Sequence, residues 1–159
     1  MTKASARTHS NALLAALLHD LRRLDDKGDV GHAQRGAKWA SSHWQEIVTY
    51  FDLGENEVDR DEVITAISLH ETPYANLAQA AYGKHKICAD ILKTADALDR
   101  YRLPKLKWWP NAEFIFLQPS SELSAFAFDL VSRSESQHIS GIDSAESIWN
   151  SLGELCHAD

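Results

Sequence analysis

The residues of this chain best suited to chemistry are histidines and carboxylates placed at the ends of apolar runs. His19 and Asp20 close "ALLHDL", His32 opens "HAQRGAKWA", His70 closes "AISLH", and Asp96 stands among Leu92, Ala95 and Leu98. An ionised carboxylate taken out of water without a partner is strongly unfavourable, so Asp20 and Asp96 each require a cation, a hydrogen-bonding shell or open solvent. A metal ion would satisfy both. Nitrogen and oxygen donors without a thiolate suit a divalent ion such as Mn, Mg, Fe, Co, Ni or Zn. Such an ion activates water near neutral pH and neutralises charge developing on a phosphoryl oxygen, so hydrolysis is the chemistry these residues would serve. Each residue also has an ordinary reading. A single histidine is commonly a packing or surface side chain, and Asp20 can simply begin the charged exit "DLRRLDDKGD".

Several cations and carboxylates lie close enough in sequence to assist. Arg35 is one turn after His32 on the same expected helix face, with Lys38 close behind, and Lys93 and Arg100 stand three before and four after Asp96. Arginine offers phosphate a planar donor fork and lysine a mobile point charge, which makes Arg35 and Lys93 candidate catalytic groups beside Asp20. The alternative is a solvated face on which Arg22, Arg23 and Arg100 pair with nearby acids such as Asp25 and Asp99. Asp99 could orient a ligating histidine or hold Arg100 or Arg102, and Glu71 could orient a water.

Helices must position these groups. Leu14, Leu17, Leu18 and Leu21 recur at helical spacing and predict a helix over 11–24 capped by Ser10. The two glycines and the charges of "DDKGDVGH" then predict a loop. A second helix is expected from His32 to Phe51, with Ala33, Gly36, Ala37, Ala40, Trp44, Ile47, Val48 and Phe51 inward. A third is expected between Asp59 and His70, and a short one between Asn76 and Ala80. The stripe Ile87, Cys88, Ile91, Leu92, Ala95, Leu98 and Tyr101 predicts a fourth long helix over 85–101. Pro104 and Pro110 bracket "KLKWWP" and should stop it. "AEFIFLQ" fits a strand or a buried loop, and two further helices are expected over 122–131 and 145–155. So little strand signal predicts an all-α fold in one domain over 1–159.

The 159 residues are 44% hydrophobic and 25% charged, with a formal net charge of −7. These are ordinary globular proportions, and the acidic balance argues against a protein whose main task is gripping nucleic-acid phosphates. No apolar run is long enough for a membrane span and the N-terminal stretch has no cleavable signal pattern, so a cytoplasmic, non-membrane protein is expected. Cys88 and Cys156 form no CxxC and are expected as small buried hydrophobes.

In order and rough spacing, "AALLHDL", "GHAQRGA", "AISLHE" and "LKTADALDR" resemble the signatures of the HD-domain metal-dependent phosphohydrolase superfamily. The resemblance is strongest over 9–103 and poor over the C-terminal helices, 120–156. It implies an all-helical HD-like domain holding one or two divalent metal ions. The dyad His19 and Asp20, a histidine on a preceding helix and Asp96 would be ligands, with His32 and His70 as second-site ligands or phosphate contacts. Only eighteen residues precede His19, and His9 is the sole histidine among them. Three arrangements stay open: His9 replaces the usual first ligand, another chain supplies it, or the site is incomplete.

The resulting expectation is a metal-dependent phosphohydrolase acting on a nucleotide or another small phosphate ester. The first alternative is a degenerate HD-like domain that binds a protein partner, a second copy of itself or a nucleotide. The second is a nuclease or nucleic-acid binder, for which "RYRLPKLKWWP" offers cations interleaved with flat rings. Adjacent tryptophans are also good packing anchors, and the short basic run in an acidic chain favours that role.

Overall fold

The computed structural model describes residues 5–25, 28–54, 56–103 and 105–157, and among them every regular element is helical. Pro104 lies outside the described residues, as does the middle of the "DDKGDVGH" loop. The chain divides into two compact units, Met1–Ala95 with Glu113–Leu117, and Asp96–Ala112 with Gln118–Asp159.

The first unit begins with α1 (Ala6–Leu18), capped by Ser5, whose hydroxyl accepts from the Thr8 amide. The helix therefore starts five residues before the expected position and stops at Leu18. Its inner face is Asn11, Leu14, Ala15 and Leu18, whereas Leu17 and Leu21 are exposed. Asn11 fixes that rotation. Its side-chain amide donates to Glu62 at 2.6 Å and its carbonyl oxygen accepts from the Asp59 amide at 2.8 Å, which locks a polar residue inward with both groups satisfied.

The single helix expected from His32 to Phe51 is two, α2 (His32–Ser42) and α3 (Trp44–Tyr50). The break is at His43, whose backbone leaves the helical region and whose ring Nδ1 donates to the Trp39 carbonyl at 2.9 Å. Phe51 is consequently exposed rather than inward. α4 (Arg60–Leu69) follows expectation: Asp59 caps it by accepting from the Glu62 amide, and Val63, Ala66 and Ile67 are buried. α2 and α4 approach the end of α1 closely because position 36 is glycine. A Cβ there would lie 2.9 Å from the His19 carbonyl oxygen and 3.4 Å from Ile67.

A 3₁₀ turn at Tyr74–Asn76 and α5 (Gln79–Lys84) replace the short helix expected between Asn76 and Ala80. α6 (Lys86–Asp99) then carries Cys88, Ala89 and Leu92 into a core shared with Leu14, Leu18, Val63 and Ile67. Ile87 and Ala95, assigned to its inner stripe by spacing, are exposed, while Asp90 is buried. The hydroxyls of Tyr74 and Tyr82 both donate to the Asp90 carboxylate at 2.7 Å, which makes a buried acid tolerable at this point. "AEFIFLQ" contains a 3₁₀ turn, Ala112–Phe114, and no strand among its residues.

In the second unit, Trp109 packs against Tyr101 and Phe128 and donates its indole N–H to the Leu103 carbonyl at 3.0 Å. α7 (Ser121–Ile139) runs eight residues past the expected end and pairs with α8 (Ser144–Cys156). Asp143 caps α8 by accepting from the Ala145 and Glu146 amides. The buried residues of α8 are Ser147 and Ser151, and no described residue of α7 is buried. Cys88 is buried as expected, but Cys156 is exposed near the end of α8.

Candidate metal centre

The ends of α1 and α4 and the start of α2 meet around Asp20. His19 is the C-cap of α1, His70 is the C-cap of α4, and His32 is the first residue of α2. In each ring, Nδ1 faces a backbone carbonyl from the residue three earlier: His19 to Ala16 at 2.7 Å, His32 to Asp29 at 2.8 Å, and His70 to Ile67 at 2.7 Å. A carbonyl oxygen only accepts, so Nδ1 carries the proton in all three, and Nε2 is the nitrogen each ring offers as a ligand. Backbone carbonyls set the tautomer in this way at metal-binding imidazoles generally.

The three Nε2 atoms are directed to one carboxylate. Distances to Asp20 are 3.6 Å from His19, 3.3 Å from His32 and 3.7 Å from His70. His32 Nε2 and His70 Nε2 are 2.9 Å apart. Two neutral imidazoles with lone pairs at that separation repel each other, so a positive charge must ease them: a shared proton, the Arg23 guanidinium 3.3 Å from His32 Nε2, or a Lewis acid. Neighbouring donors around an ion with bonds of about 2.1 Å lie about 3 Å apart, close to the separation of this pair. Asp20 Oδ1 is buried and has no hydrogen-bond partner among the described residues. Such an orphaned acceptor is unusual enough to require a reason, and a cation supplies one.

Electrostatics keep the carboxylate ionised. Burial on its own would raise the Asp20 pKa, but without metal the interactions with His70 and His19 in their protonated form, and with Arg23, outweigh it and hold the group at about 2. Glu71 orders the rim: its carboxylate lies 2.9 Å from His32 Nδ1 and accepts from the Gly31 amide at 3.0 Å.

The ligand atoms of His19, Asp20 and His70 all lie within 4.8 Å of one another, and His32 adds a fourth donor beside Asp20 and His70. His9 sits on the exposed side of α1. Ten residues of helix, about 15 Å of axial rise, separate it from His19, so α1 does not bring it to the cluster. Asp96 is half-buried on the last turn of α6, among the residues of the second unit.

Arg35 pairs with a carboxylate beside the site rather than with an imidazole. Its Nη2 donates to both carboxylate oxygens of Asp29, which also accepts from the Leu24 amide. That arrangement ties together the loop between α1 and α2. Lys93, a candidate catalytic group from the sequence, is fully buried, and its ammonium donates to the carbonyls of Leu69, His70 and Thr72. These carbonyls lie at and just beyond the end of α4, so Lys93 fixes the turn carrying His70. Arg100 donates to the Trp108 carbonyl, and Arg102 pairs with Asp99.

Arg23, read from the sequence as pairing with nearby acids on a solvated face, instead donates from its guanidinium to Asp20 Oδ2 at 2.7 Å and lies 3.3 Å from His32 Nε2. The available signal was its position three residues after Asp20, masked by the charged run around it.

Comparison with protein-family models, with curated proteins and with solved structures finds no match for this chain. Fold and site together define an all-α protein with a potential metal-coordinating His/Asp/His cluster. No helix among the described residues is long and apolar enough to cross a membrane.

Proposed function

We propose that this protein is a metal-dependent phosphohydrolase acting on a nucleotide or another small phosphate ester. The observation that carries the reading is the convergence of three imidazoles, each with Nδ1 committed to a carbonyl, on the Asp20 carboxylate: His32 and His70 face its buried Oδ1 and His19 faces Oδ2. Order along the chain agrees with the resemblance to HD-domain phosphohydrolases. His19, Asp20 and His70 would hold a divalent ion, with His32 as the adjoining donor. An ion of that charge supplies a Lewis acid that activates water near neutral pH and neutralises charge on a phosphoryl oxygen.

The chain's own contributions differ by residue. Asp20 binds as a carboxylate at every pH at which the protein would work. Glu71 and the Asp29 carbonyl hold the His32 ring, and Lys93 holds the backbone beneath His70. Arg35, 40% exposed in its pair with Asp29, is the guanidinium we assign to incoming phosphate. The test is phosphate release from a panel of nucleoside monophosphates and sugar phosphates in the presence of Mn²⁺. Wild type should turn over at least one of them, and Asp20→Ala should reduce that rate by at least about 100-fold. Equal rates in the two proteins would remove Asp20 from the chemistry.

A second reading, association with a protein partner or a second copy, draws on the second unit. Phe126, Phe128 and Trp149 leave a third or more of their surface in solvent. Light scattering across a concentration series tests it, a constant monomer mass counting against self-association.

A further inference from the structure

The imidazole cluster already contains a cation supplied by the chain. Arg23 Nη1 donates to Asp20 Oδ2 at 2.7 Å, and Nη2 of the same guanidinium lies 3.3 Å from His32 Nε2. Because His32 Nδ1 carries the ring proton, Nε2 is an acceptor, so one fork of Arg23 bridges a carboxylate and an imidazole that are also candidate metal ligands. The Nε of Arg23 is buried without a hydrogen-bond partner among the described residues, so the guanidinium is held inward by these contacts rather than by solvent. Arg23 follows Asp20 by three residues across a short turn, in which the Arg23 amide donates to the Asp20 carbonyl at 2.9 Å. The turn therefore aims both side chains at one point.

From this geometry we propose that Arg23 is a built-in counter-cation that competes with the divalent ion for Asp20 and His32, latching the ligand cluster when metal is scarce. The inference rests on the metal-site reading above. A guanidinium and a divalent ion cannot both sit against Asp20 Oδ2 and His32 Nε2 without strong like-charge repulsion. Metal entry must displace the fork, and the affinity measured for the metal is reduced by the contacts that are broken. Arginine suits the role because it stays charged at any pH the protein meets and its flat fork spans two acceptors. Displacement would also leave the guanidinium at the edge of the site with its donors available to an anion.

Titration calorimetry of the metal-stripped full chain with Mn²⁺ tests the proposal, comparing wild type, Arg23→Gln, Arg23→Met and Asp20→Ala. Two neutral Arg23 variants are used so that one remains informative if the other does not fold. Charge-assisted hydrogen bonds of this kind correspond to at least about a tenfold change in affinity, so both variants should bind Mn²⁺ about tenfold tighter or more. Both should also melt at lower temperature than wild type without metal, with the gap closing at saturating Mn²⁺. Equal or weaker Mn²⁺ binding by the Arg23 variants, with wild-type binding that is lost in Asp20→Ala, overturns the latch and leaves the metal site standing. Absence of Mn²⁺ binding in every one of the four proteins overturns both readings.

Discussion

The first unit and the α7–α8 pair both turn polar residues inward, and they satisfy them in different ways. In α8 the buried residues are serines whose hydroxyls return to their own helix, Ser147 to the Asp143 carbonyl and Ser151 to the Ser147 carbonyl, each at 2.8 Å. In the first unit, Asn11, Asp90 and Lys93 reach across elements, to α4, to two tyrosines and to the end of α4. Around Asp20 even these bonds do not exhaust the polar atoms. Three Nε2 atoms are brought to the two oxygens of one carboxylate, and Oδ1 has no hydrogen-bond partner among the described residues. Inward polarity alone is therefore a poor marker of chemistry. What marks the site is that local hydrogen bonds use one nitrogen of each ring and leave the other directed at a common point.

The sharpest way to break this comparison is through packing. Ile67→Ala removes a fully buried side chain from the core of the first unit and should destabilise the protein by about 2–5 kcal/mol. Phe126→Ala on α7, already partly in solvent, should change stability by less than about 1 kcal/mol. Similar effects in urea denaturation would mean that the second unit is as tightly packed as the first.

Next in size is Lys93→Met, which keeps the aliphatic stem and removes the donors to three carbonyls. It should lower stability by about 1–3 kcal/mol and weaken Mn²⁺ binding as the His70 turn loosens. Loss of stability with unchanged Mn²⁺ affinity would confine Lys93 to the fold.

A smaller effect concerns acid. The Asp20 pKa is lowered from 3.8 to about 2, so its contribution to stability is fully present above about pH 4 and is lost as the pH falls through about 2. Metal-free Asp20→Asn should therefore lose less stability than wild type between pH 4 and 2, as read by thermal melts at each pH. An identical acid dependence would show that Asp20 gains nothing from its neighbours on folding.

The smallest test separates the two cysteines. Burial, with a further contribution from Glu62, pushes the Cys88 thiol up to about 12, and Cys156 is exposed. A thiol reagent at pH 8 should label Cys156 rapidly and Cys88 only on unfolding. Rapid labelling of both would show that the first unit opens far more readily than its packing implies.

The all-helical fold and the placement of His19, His32 and His70 at helix ends were legible in the sequence for one physical reason. His19, His32 and His70 lie beside apolar runs with clear helical spacing, so their placement at helix ends near the core follows from the pattern. The rotation of α1 was not legible, because it is set by Asn11, a polar residue that periodicity counts as outward. The break at His43 depends on a ring-to-carbonyl bond within one turn, which hydrophobic spacing does not register. Arg23 was hidden in "DLRRLDDKGD", where a run of charges reads as a solvated exit. The serine seam of α8 gave no signal, since small hydroxyl residues carry no apolar stripe.

Whether the imidazoles around Asp20 hold a metal is read most directly by calorimetric titration of the metal-stripped protein with Mn²⁺ beside Asp20→Ala and His70→Ala. Saturable binding by wild type that is lost in both variants, each shown by circular dichroism to keep its helices, is the predicted result. Wild-type binding that survives both substitutions, or no binding by folded wild-type protein, would contradict it.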